Sequence, residues 1–364
     1  MNETITDLVT VGSGSYAPDD VHFLLQAVQM DVTDVEEKER LIQTKQKHYS
    51  EMISQESAPS ETHKALYERV LAQNGARMAT DVQALALGLN EACTGTSIVL
   101  VSFVRAGLPL GVLLRRALIE MGREAFHYGI SIVRDRGIDT VALEAIIQTH
   151  GAENIVFVDG WTGKGAISGE IQRSLSADAR FPKSPRLVVL ADPCGRAWMA
   201  ASAEDWVIPS GILGATVSGL VSRSIWPVNG GLHGCVVYDH LQEHDVTQVF
   251  IEQIEAQRKV LGIVPKALPW TDEQRLELQG AATHVVESLA ARFEVTNLNR
   301  VKPGIAEATR AVLRRVPHHV LIRDRSDSDV QLLMHLTEAA GVPVEEVGAQ
   351  LGPYRAVTII RSLG

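Results

Sequence analysis

The chain has 364 residues, of which 34 are Lys or Arg and 44 are Asp or Glu, so its formal charge is −10. This balance argues against a protein that coats nucleic acid over its whole surface, because such a protein is basic overall. With 45% hydrophobic and 21% charged residues, the composition excludes a largely disordered chain and predicts a substantial core. At roughly 100–200 residues per domain, the length predicts two or three domains.

The sequence shows no pattern typical of a membrane span, a secretory signal or a disulfide framework. Gly, Arg or Pro interrupts each apolar stretch before it reaches the roughly 18 residues that a span needs, and no basic and apolar signal follows Met1. Cys93, Cys194 and Cys235 are odd in number and lack CxxC spacing, which favours free thiols. We therefore expect a soluble, cytoplasmic protein without membrane contacts, and a homo-oligomer is one option.

Residues 1–90 are predicted to form a helical N-terminal prefix. Glu, Lys, Gln and Ala are abundant at 34–46 and again at 61–90. Asp19-Asp20 predict a helix that begins at Val21, because their carboxylates accept hydrogen bonds from the unpaired amides of a first turn.

Residues 91–263 are predicted to form an α/β domain on a parallel sheet. Short apolar runs alternate with helical stretches, which is typical of strands buried on both faces. The runs lie at 98–104, 125–133, 155–158 and 187–191, and the helical stretches at 108–121, 139–149 and 166–175. Ligands of such sheets bind beyond the carboxyl ends of the strands, so the residues directly after each run are the first candidates for a site.

The remainder is predicted to be a linker and helix at 264–290, followed by a small α/β domain at 291–364. Two prolines precede the helix, which starts near Thr271. The last domain shows a helix, a strand, a helix and a strand, at 305–315, 320–322, 329–340 and 356–360. This length suffices for a separate small domain.

The segment at 154–167 has the pattern of an anion site. An apolar strand ends at Asp159, a Gly- and Thr-containing turn follows, and then a helix begins. The amides near the helix N-terminus favour negative charge, and glycine allows a close approach. The expected ligand-binding residues are Thr162, Gly163, Lys164 and Gly165, and Asp159 is expected to contact ribose hydroxyls or a magnesium-bound water. The alternative is a tight strand-to-helix turn without a ligand.

Two further strand ends carry groups that suit the same ligand. Arg105 and Gly107 follow the first run, where a guanidinium fits pyrophosphate and glycine leaves the backbone accessible. Arg134 and Arg136 follow the second run and add positive charge. The alternative for Arg105 is a solvated loop residue.

The strand ends resemble those of type I phosphoribosyltransferases. The turn at 159–165 is similar to their phosphoribosyl pyrophosphate motif, and Arg105-Ala-Gly107 with Tyr128 and Arg134-Asp-Arg136 resembles the uracil-using branch. The family motif has a second acidic residue where Gly160 stands here. The resemblance implies phosphoribosyl pyrophosphate as donor, Mg²⁺ as cofactor, Asp159 and Arg105 as catalytic residues, and Asp159 as the metal ligand.

A resemblance to a second family extends over nearly the whole chain. It rests on the segments at 12–16, 38–43, 48–52, 207–210, 216–223 and 233–234. They are similar to a bacterial family that is associated with tellurite resistance and is also named cysteine protease StiP. The resemblance implies a type I phosphoribosyltransferase-like α/β domain behind the helical prefix, followed by a small α/β RNA-binding domain of the Pelota or L7Ae type.

The C-terminal domain carries the residues expected to contact structured RNA. The segment at 301–310 resembles the Gly-initiated helix of L7Ae-type domains, and it is rich in cations within an acidic chain. The expected RNA-binding residues are Arg300, Lys302, Gly304, Arg310 and Arg314. Amides near the helix start are suited to phosphate. The alternative is a solvated helix face.

The sequence therefore favours an enzyme that uses phosphoribosyl pyrophosphate and magnesium to ribosylate a base-like acceptor, in a stress response. One alternative is a non-catalytic, nucleotide-sensing RNA-binding factor. Another is a cysteine protease, for which Cys194, after an apparent strand end, and Cys235, near His233, are the candidate nucleophiles. A buried structural cysteine is the commoner role for both.

Overall fold

The structure is a computed structural model that describes residues 4–362 and has a mixed α/β architecture. The strands are β1 (His22–Phe23), β2 (Gln26–Ala27), β3 (Ser97–Phe103), β4 (Glu124–Ile130), β5 (Ile132–Val133), β6 (Gly137–Ile138), β7 (Ile155–Val158), β8 (Leu187–Ala191), β9 (Met199–Ser202), β10 (Gly234–Cys235), β11 (Val301–Pro303), β12 (Pro317–Ile322), β13 (Val344–Glu346) and β14 (Ala356–Ile360). The helices are α1 (Val35–Gln43), α2 (Glu61–Ala92), α3 (Leu108–Glu120), α4 (Thr140–His150), α5 (Ala166–Leu175), α6 (Thr247–Lys259), α7 (Asp272–Arg292), α8 (Ile305–Arg314) and α9 (Gln331–Ala339).

A six-stranded parallel sheet forms the centre of the molecule, with strand order β1-β4-β3-β7-β8-β9. Every residue of β3, β7 and β8 is buried, which explains their continuous apolar sequences. Alternate side chains enter two cores: Leu100 and Val156 pack with α2 and α3, whereas Val101 and Phe157 pack with α4. The parallel sheet predicted for the middle of the chain is confirmed.

The N-terminal region differs from the predicted helical prefix. Instead of a helix from Val21, the structure has β1, which pairs with β4 at the edge of the central sheet. Phe23 and the leucines after it are fully buried, and burial on both sides of the chain favours an extended segment over an exposed helix. The 32-residue helix α2 packs against α3 and α6 in the main core, so it belongs to the central architecture.

A second sheet lies in the C-terminal unit, residues 272–362, with order β11-β14-β12-β13. Its pairs are antiparallel except β12 and β13, which are parallel. The helices α8 and α9 pack on one another and α7 packs near β11. The predicted helix, strand, helix and strand order is present here. Within the part of the chain that the structure describes, no helix combines the length and the hydrophobicity that a membrane span requires.

Candidate functional site

A cavity of about 750 Å³ opens where the carboxyl ends of β3 and β7 face α1 and α8. Its wall combines three parts of the chain: the N-terminal region at 38–51, the central strand ends, and residues 297–315 of the C-terminal unit. Open parallel sheets bind ligands at this edge. Here the C-terminal unit closes the edge from the opposite side.

The wall of this cavity is strongly cationic. Among the described residues that line it, thirteen are Lys or Arg and five are Asp or Glu, although the whole chain is acidic. The cations are Lys38, Lys45, Lys47, Arg105, Arg134, Arg136, Lys164, Arg223, Arg300, Lys302, Arg310, Arg314 and Arg315. Clefts lined by one sign of charge concentrate counter-ions, so the cavity is suited to an anion.

Several of these cations have lowered pKa values. Burial, with nearby arginines, lowers the pKa of Lys38 and of Lys164 to about 8, and that of Lys302 falls well below its usual value for the same reasons. Burial and the neighbouring Arg105 lower the pKa of Arg314 to about 9. Each lowered pKa means that the charged form is disfavoured where it lies. An anion in the cavity would relieve this cost.

Asp159 lies at the end of β7 and lines the cavity. Its Oδ1 accepts a hydrogen bond of 2.8 Å from the Gly160 amide. Burial raises its pKa to about 7, against the opposing effect of this amide and of Arg310. Burial therefore favours the neutral form of this carboxyl group.

The turn after Asp159 faces the cavity, but two of its side chains already have protein partners. The Thr162 hydroxyl donates to Asp192 Oδ1 at 2.5 Å, and Lys164 Nζ donates to the carbonyls of Leu298 and, at 3.0 Å, Val301. Gly163 and Gly165 also line the cavity. Lys164 thus ties the turn to the C-terminal unit.

The predicted arginines of the strand ends also line the cavity. Arg134 lies over the Tyr49 ring at 5.2 Å. Arg136 Nη2 donates to Glu51 Oε1 at 2.5 Å, and Arg105 Nη1 donates to the Val221 carbonyl at 3.0 Å. All three are therefore held by the protein rather than solvated in loops.

Glu56 joins two of the cavity's guanidinium groups from different parts of the chain. Its Oε2 accepts from Arg105 at 2.9 Å, its Oε1 accepts from the Ala215 amide at 2.5 Å, and Arg314 lies 3.8 Å away. Burial opposes ionisation of Glu56, but the two guanidinium ions outweigh it and lower its pKa to about 2. Glu56 therefore holds Arg105 and Arg314 side by side despite their like charge.

Four residues expected to contact RNA line this same cavity. They are Arg300, Lys302, Arg310 and Arg314. Arg310 lies over the Trp161 ring of the central domain at 5.6 Å. The cationic face of α8 is therefore directed at the central strand ends.

Three predicted site residues do not line the cavity. Gly107 packs against β7, where an added Cβ would lie 2.2 Å from the Val158 carbonyl oxygen. Tyr128 lies within β4 and its hydroxyl is 2.8 Å from His150 Nε2. Gly304 directly precedes α8, but the amide of Ile305 donates to both carboxylate oxygens of Asp205 at 2.9–3.0 Å. The helix start that was expected to meet a phosphate is therefore already capped.

Sequence reasoning missed several residues of the wall. Lys38 and Glu39 come from α1, and Arg315 is tied to Glu39 by two donors. Glu307 also lines the cavity. The excess of positive charge around 300–315 was the one sequence signal for these residues. It indicated the side of the cavity formed by the C-terminal unit but not the side formed by α1.

The three cysteines are buried free thiols. Cys194 Sγ lies 3.2 Å from Thr162 Oγ1, and burial together with Asp192 raises its pKa. Burial raises the pKa of Cys235 to about 12. The His233 ring, near Cys235 in the sequence, forms a hydrogen bond of 2.5 Å with Ser131 Oγ. Within residues 4–362, no group of three or more His, Cys, Asp or Glu side chains is placed to hold a metal ion.

Comparison with known proteins identifies the family. A family model described as "Tellurite-like stress resistance cysteine protease StiP" matches residues 14–255. A protein of Acinetobacter baylyi named cysteine protease StiP is 52% identical over 369 residues, covering 97% of this chain and 95% of that protein. The chain belongs to the StiP family. A second model, described as the PELOTA RNA binding domain, matches residues 280–362, in the C-terminal unit.

Two solved structures show only low similarity to this StiP family member. One is glycine decarboxylase, the P-protein of the glycine cleavage system, with a TM-score of 0.25 and 13% identity over 92% of this chain and 88% of that chain. The other is an archaeal alanine:glyoxylate aminotransferase, with a TM-score of 0.22 and 11% identity over 90% of this chain and 89% of that chain. Both scores are too low to indicate a shared fold.

The comparisons correct the predicted activity. The family model and the relative are both named for a cysteine protease, so the prediction of a phosphoribosyltransferase, in the glycosyltransferase class, is wrong. The resemblance to the StiP family and to a Pelota-type C-terminal domain is confirmed.

Proposed function

We propose that the cavity binds a small phosphorylated anion, held between the central sheet and the C-terminal unit. The observation that supports this most strongly is the excess of thirteen cationic over five acidic side chains along its wall. A guanidinium group can donate two parallel hydrogen bonds to a phosphate group, and an ammonium group adds positive charge beside the phosphate. Phosphoribosyl pyrophosphate or a related nucleotide is one ligand of this kind.

Different residues of the wall would bind the anion and its magnesium ion. Arg310, Arg314 and Lys302 would bind the anion from the C-terminal unit, and the backbone amides of the turn at 163–165 would bind it from the sheet. Magnesium is part of the proposal as a companion of the phosphates, with Asp159 contacting its hydration shell, because proteins often hold this ion through one or two carboxylates and the ligand.

The finer fold prediction, a type I phosphoribosyltransferase-like sheet, also stays a proposal. Its support is the parallel order of β4, β3, β7 and β8 and the Gly-containing turn after β7. Many open α/β sheets share these features, so the proposal concerns the fold alone.

Isothermal titration with pyrophosphate at low and high salt tests the binding proposal. We expect one saturable site whose affinity falls as salt rises. Arg314→Ala should weaken binding about 10- to 100-fold, the effect of losing a charge-assisted hydrogen bond. Arg180→Ala, which removes an exposed arginine paired with Glu144 outside the cavity, is the control and should change little. Equal effects of the two substitutions would count against the proposal.

A second candidate function, a thiol-dependent peptidase, is favoured by the names of the family and the relative. Cys194 is its best nucleophile, because Thr162 connects it to the cavity wall. Peptidase activity needs the thiolate, whereas this thiol is buried with a raised pKa, so the function would require a rearrangement that exposes it. Peptide cleavage that is abolished in Cys194→Ser and kept in Cys93→Ser would establish it; full cleavage by a variant that lacks all three cysteines would reject it.

RNA binding by the Pelota-type unit is a further proposal, supported by the family match at 280–362. Lys302, Arg310 and Arg314 line the cavity, so RNA that used them would occupy the site of the small anion. We expect pyrophosphate to compete with a kinked RNA for the protein. Unchanged RNA affinity at saturating pyrophosphate would show that RNA binds elsewhere.

A further inference from the structure

The arginine side chains of the cavity wall are held in two different ways. Within residues 4–362, the guanidinium groups of Arg134 and Arg310 donate no hydrogen bond to a protein acceptor, and the carboxylate nearest to Arg310 is Glu307 at 3.7 Å. Arg314 lies 3.8 Å from Glu56. The remaining arginines of the wall donate to carbonyl or carboxylate oxygens of the protein: Arg105, Arg136, Arg223, Arg300 and Arg315.

An aromatic ring of the wall supports each of the two arginines without hydrogen bonds. Arg134 Cζ lies 5.2 Å from the centroid of the Tyr49 ring, and the Tyr49 hydroxyl accepts a hydrogen bond of 2.8 Å from the Arg134 amide. Arg310 Cζ lies 5.6 Å from the centroid of the Trp161 ring. An aromatic face attracts a guanidinium ion electrostatically and uses none of its five N–H donors. These donors are therefore available to a ligand, whereas a carboxylate partner would occupy them.

Both rings have defined positions in the wall. The Tyr49 ring also lies 5.2 Å from Arg223 Cζ, and Arg223 donates a hydrogen bond to the Tyr49 carbonyl. The backbone of Trp161 pairs with Ala191 at the end of β8. The Trp161 ring packs on Gly211, where an added Cβ would lie 3.4 Å from the indole. Each ring is thus fixed independently of the arginine that it supports.

The two arginines act on the same part of the cavity from different units. Arg134 directly follows β5, and Arg310 lies on α8 of the C-terminal unit. Burial opposes ionisation of Glu307, but nearby cations, with Arg310 first and Arg134 among them, outweigh burial and lower its pKa. Because the two guanidinium ions repel one another, each needs a support that keeps it directed at the cavity.

We propose that Tyr49 and Trp161 are positioning residues, which direct Arg134 and Arg310 at the bound anion. This inference rests on the proposed anion binding and assigns the groups that place two of its arginines. The rings act through the guanidinium groups rather than by contact with the ligand. Because Trp161 follows β7 of the central sheet and Arg310 belongs to the C-terminal unit, one of the two pairs joins the units across the site.

Calorimetric titration of the full chain with pyrophosphate tests the proposal. Tyr49→Leu and Trp161→Leu should each weaken binding about 5- to 30-fold, which corresponds to the loss of a desolvated cation–π contact. Tyr49→Phe and Trp161→Phe keep an aromatic face and should stay within about threefold of wild type. A purely structural loss at these positions would give no such recovery.

A double-mutant cycle shows whether each ring acts through its arginine. In an Arg310→Ala background, Trp161→Leu should change the affinity by less than about twofold, because its partner is already absent. Tyr49→Leu should likewise cost less in an Arg134→Ala background than in wild type. The second cycle keeps the test decisive if Trp161→Leu does not fold.

Phe293→Leu is the matched control. Arg292 Cζ lies 5.2 Å from the Phe293 ring, outside the cavity, so this substitution should leave the affinity unchanged. Wild-type affinity in both leucine variants, or equal losses with and without the partner arginine, would overturn the inference while pyrophosphate binding by wild type still supports the anion site. Failure of wild-type protein to bind pyrophosphate would reject the anion site, and the inference with it.

Discussion

Asp192 connects the end of β8 with the turn at the cavity and with the linker before α7. Its carboxylate accepts hydrogen bonds from Thr162 Oγ1, the amides of Arg196 and Ala197, and Trp270 Nε1, at 2.5–3.0 Å. The residue is fully buried. Asp192→Ala would leave these four donors, and the weaker donor Cys194 Sγ at 3.8 Å, without this acceptor. An unpaired buried donor costs about 1–3 kcal/mol, and water entering the new space recovers part of it, so we expect a loss of about 3–5 kcal/mol.

Urea unfolding followed by tryptophan fluorescence measures this loss directly. Asp192→Asn keeps one carbonyl oxygen and should fall between wild type and Asp192→Ala. Glu287→Ala, at an exposed position of α7, is the control and should stay within about 0.5 kcal/mol of wild type. A loss below about 1 kcal/mol in Asp192→Ala would refute the idea that this carboxylate is the shared anchor.

Three further outcomes follow from the electrostatics of the structure. Burial raises the pKa of Asp81 to about 7, so the native state holds this proton more tightly than the unfolded chain, and the wild-type protein loses stability as the pH rises from 4 to 7. Asp81→Asn should therefore be more stable than wild type at pH 8 by about 1–3 kcal/mol. Equal pH profiles of the two proteins in urea unfolding would contradict this. Lys38, with a pKa of about 8, should take up protons when pyrophosphate binds at pH 8. Calorimetry in two buffers, corrected for the protonation of pyrophosphate itself, should show that Lys38→Met takes up fewer protons than wild type. Cys194 should react with a thiol reagent at least about 100-fold more slowly in the native state than in urea, and rapid native labelling would show an accessible thiolate.

The central sheet was predictable because its strands are buried on both faces. The run at 155–158 coincides with β7, and the run at 187–191 coincides with β8. Continuous apolar sequences between helical stretches report this environment directly. The helix expected from Val21 failed because the acidic cap pattern is local, whereas pairing of β1 with β4 depends on residues about a hundred positions away.

The candidate site was predictable only on the side of the sheet. Asp159 and Arg105 face the cavity because parallel strands place their carboxyl ends at one edge. Glu56 and Lys38 reach it from a region without a local pattern, which only the folded chain brings there. Tyr128 was misplaced because it lies in the middle of β4, paired with Val101 and His22, rather than at a strand end.

A crystal structure of the protein grown with pyrophosphate tests the account most directly. We predict density for the ligand between the turn at 163–165 and the cations Lys302, Arg310 and Arg314 of the C-terminal unit. Ligand density on the outer surface, or a cavity that holds only water at a saturating ligand concentration, would contradict it.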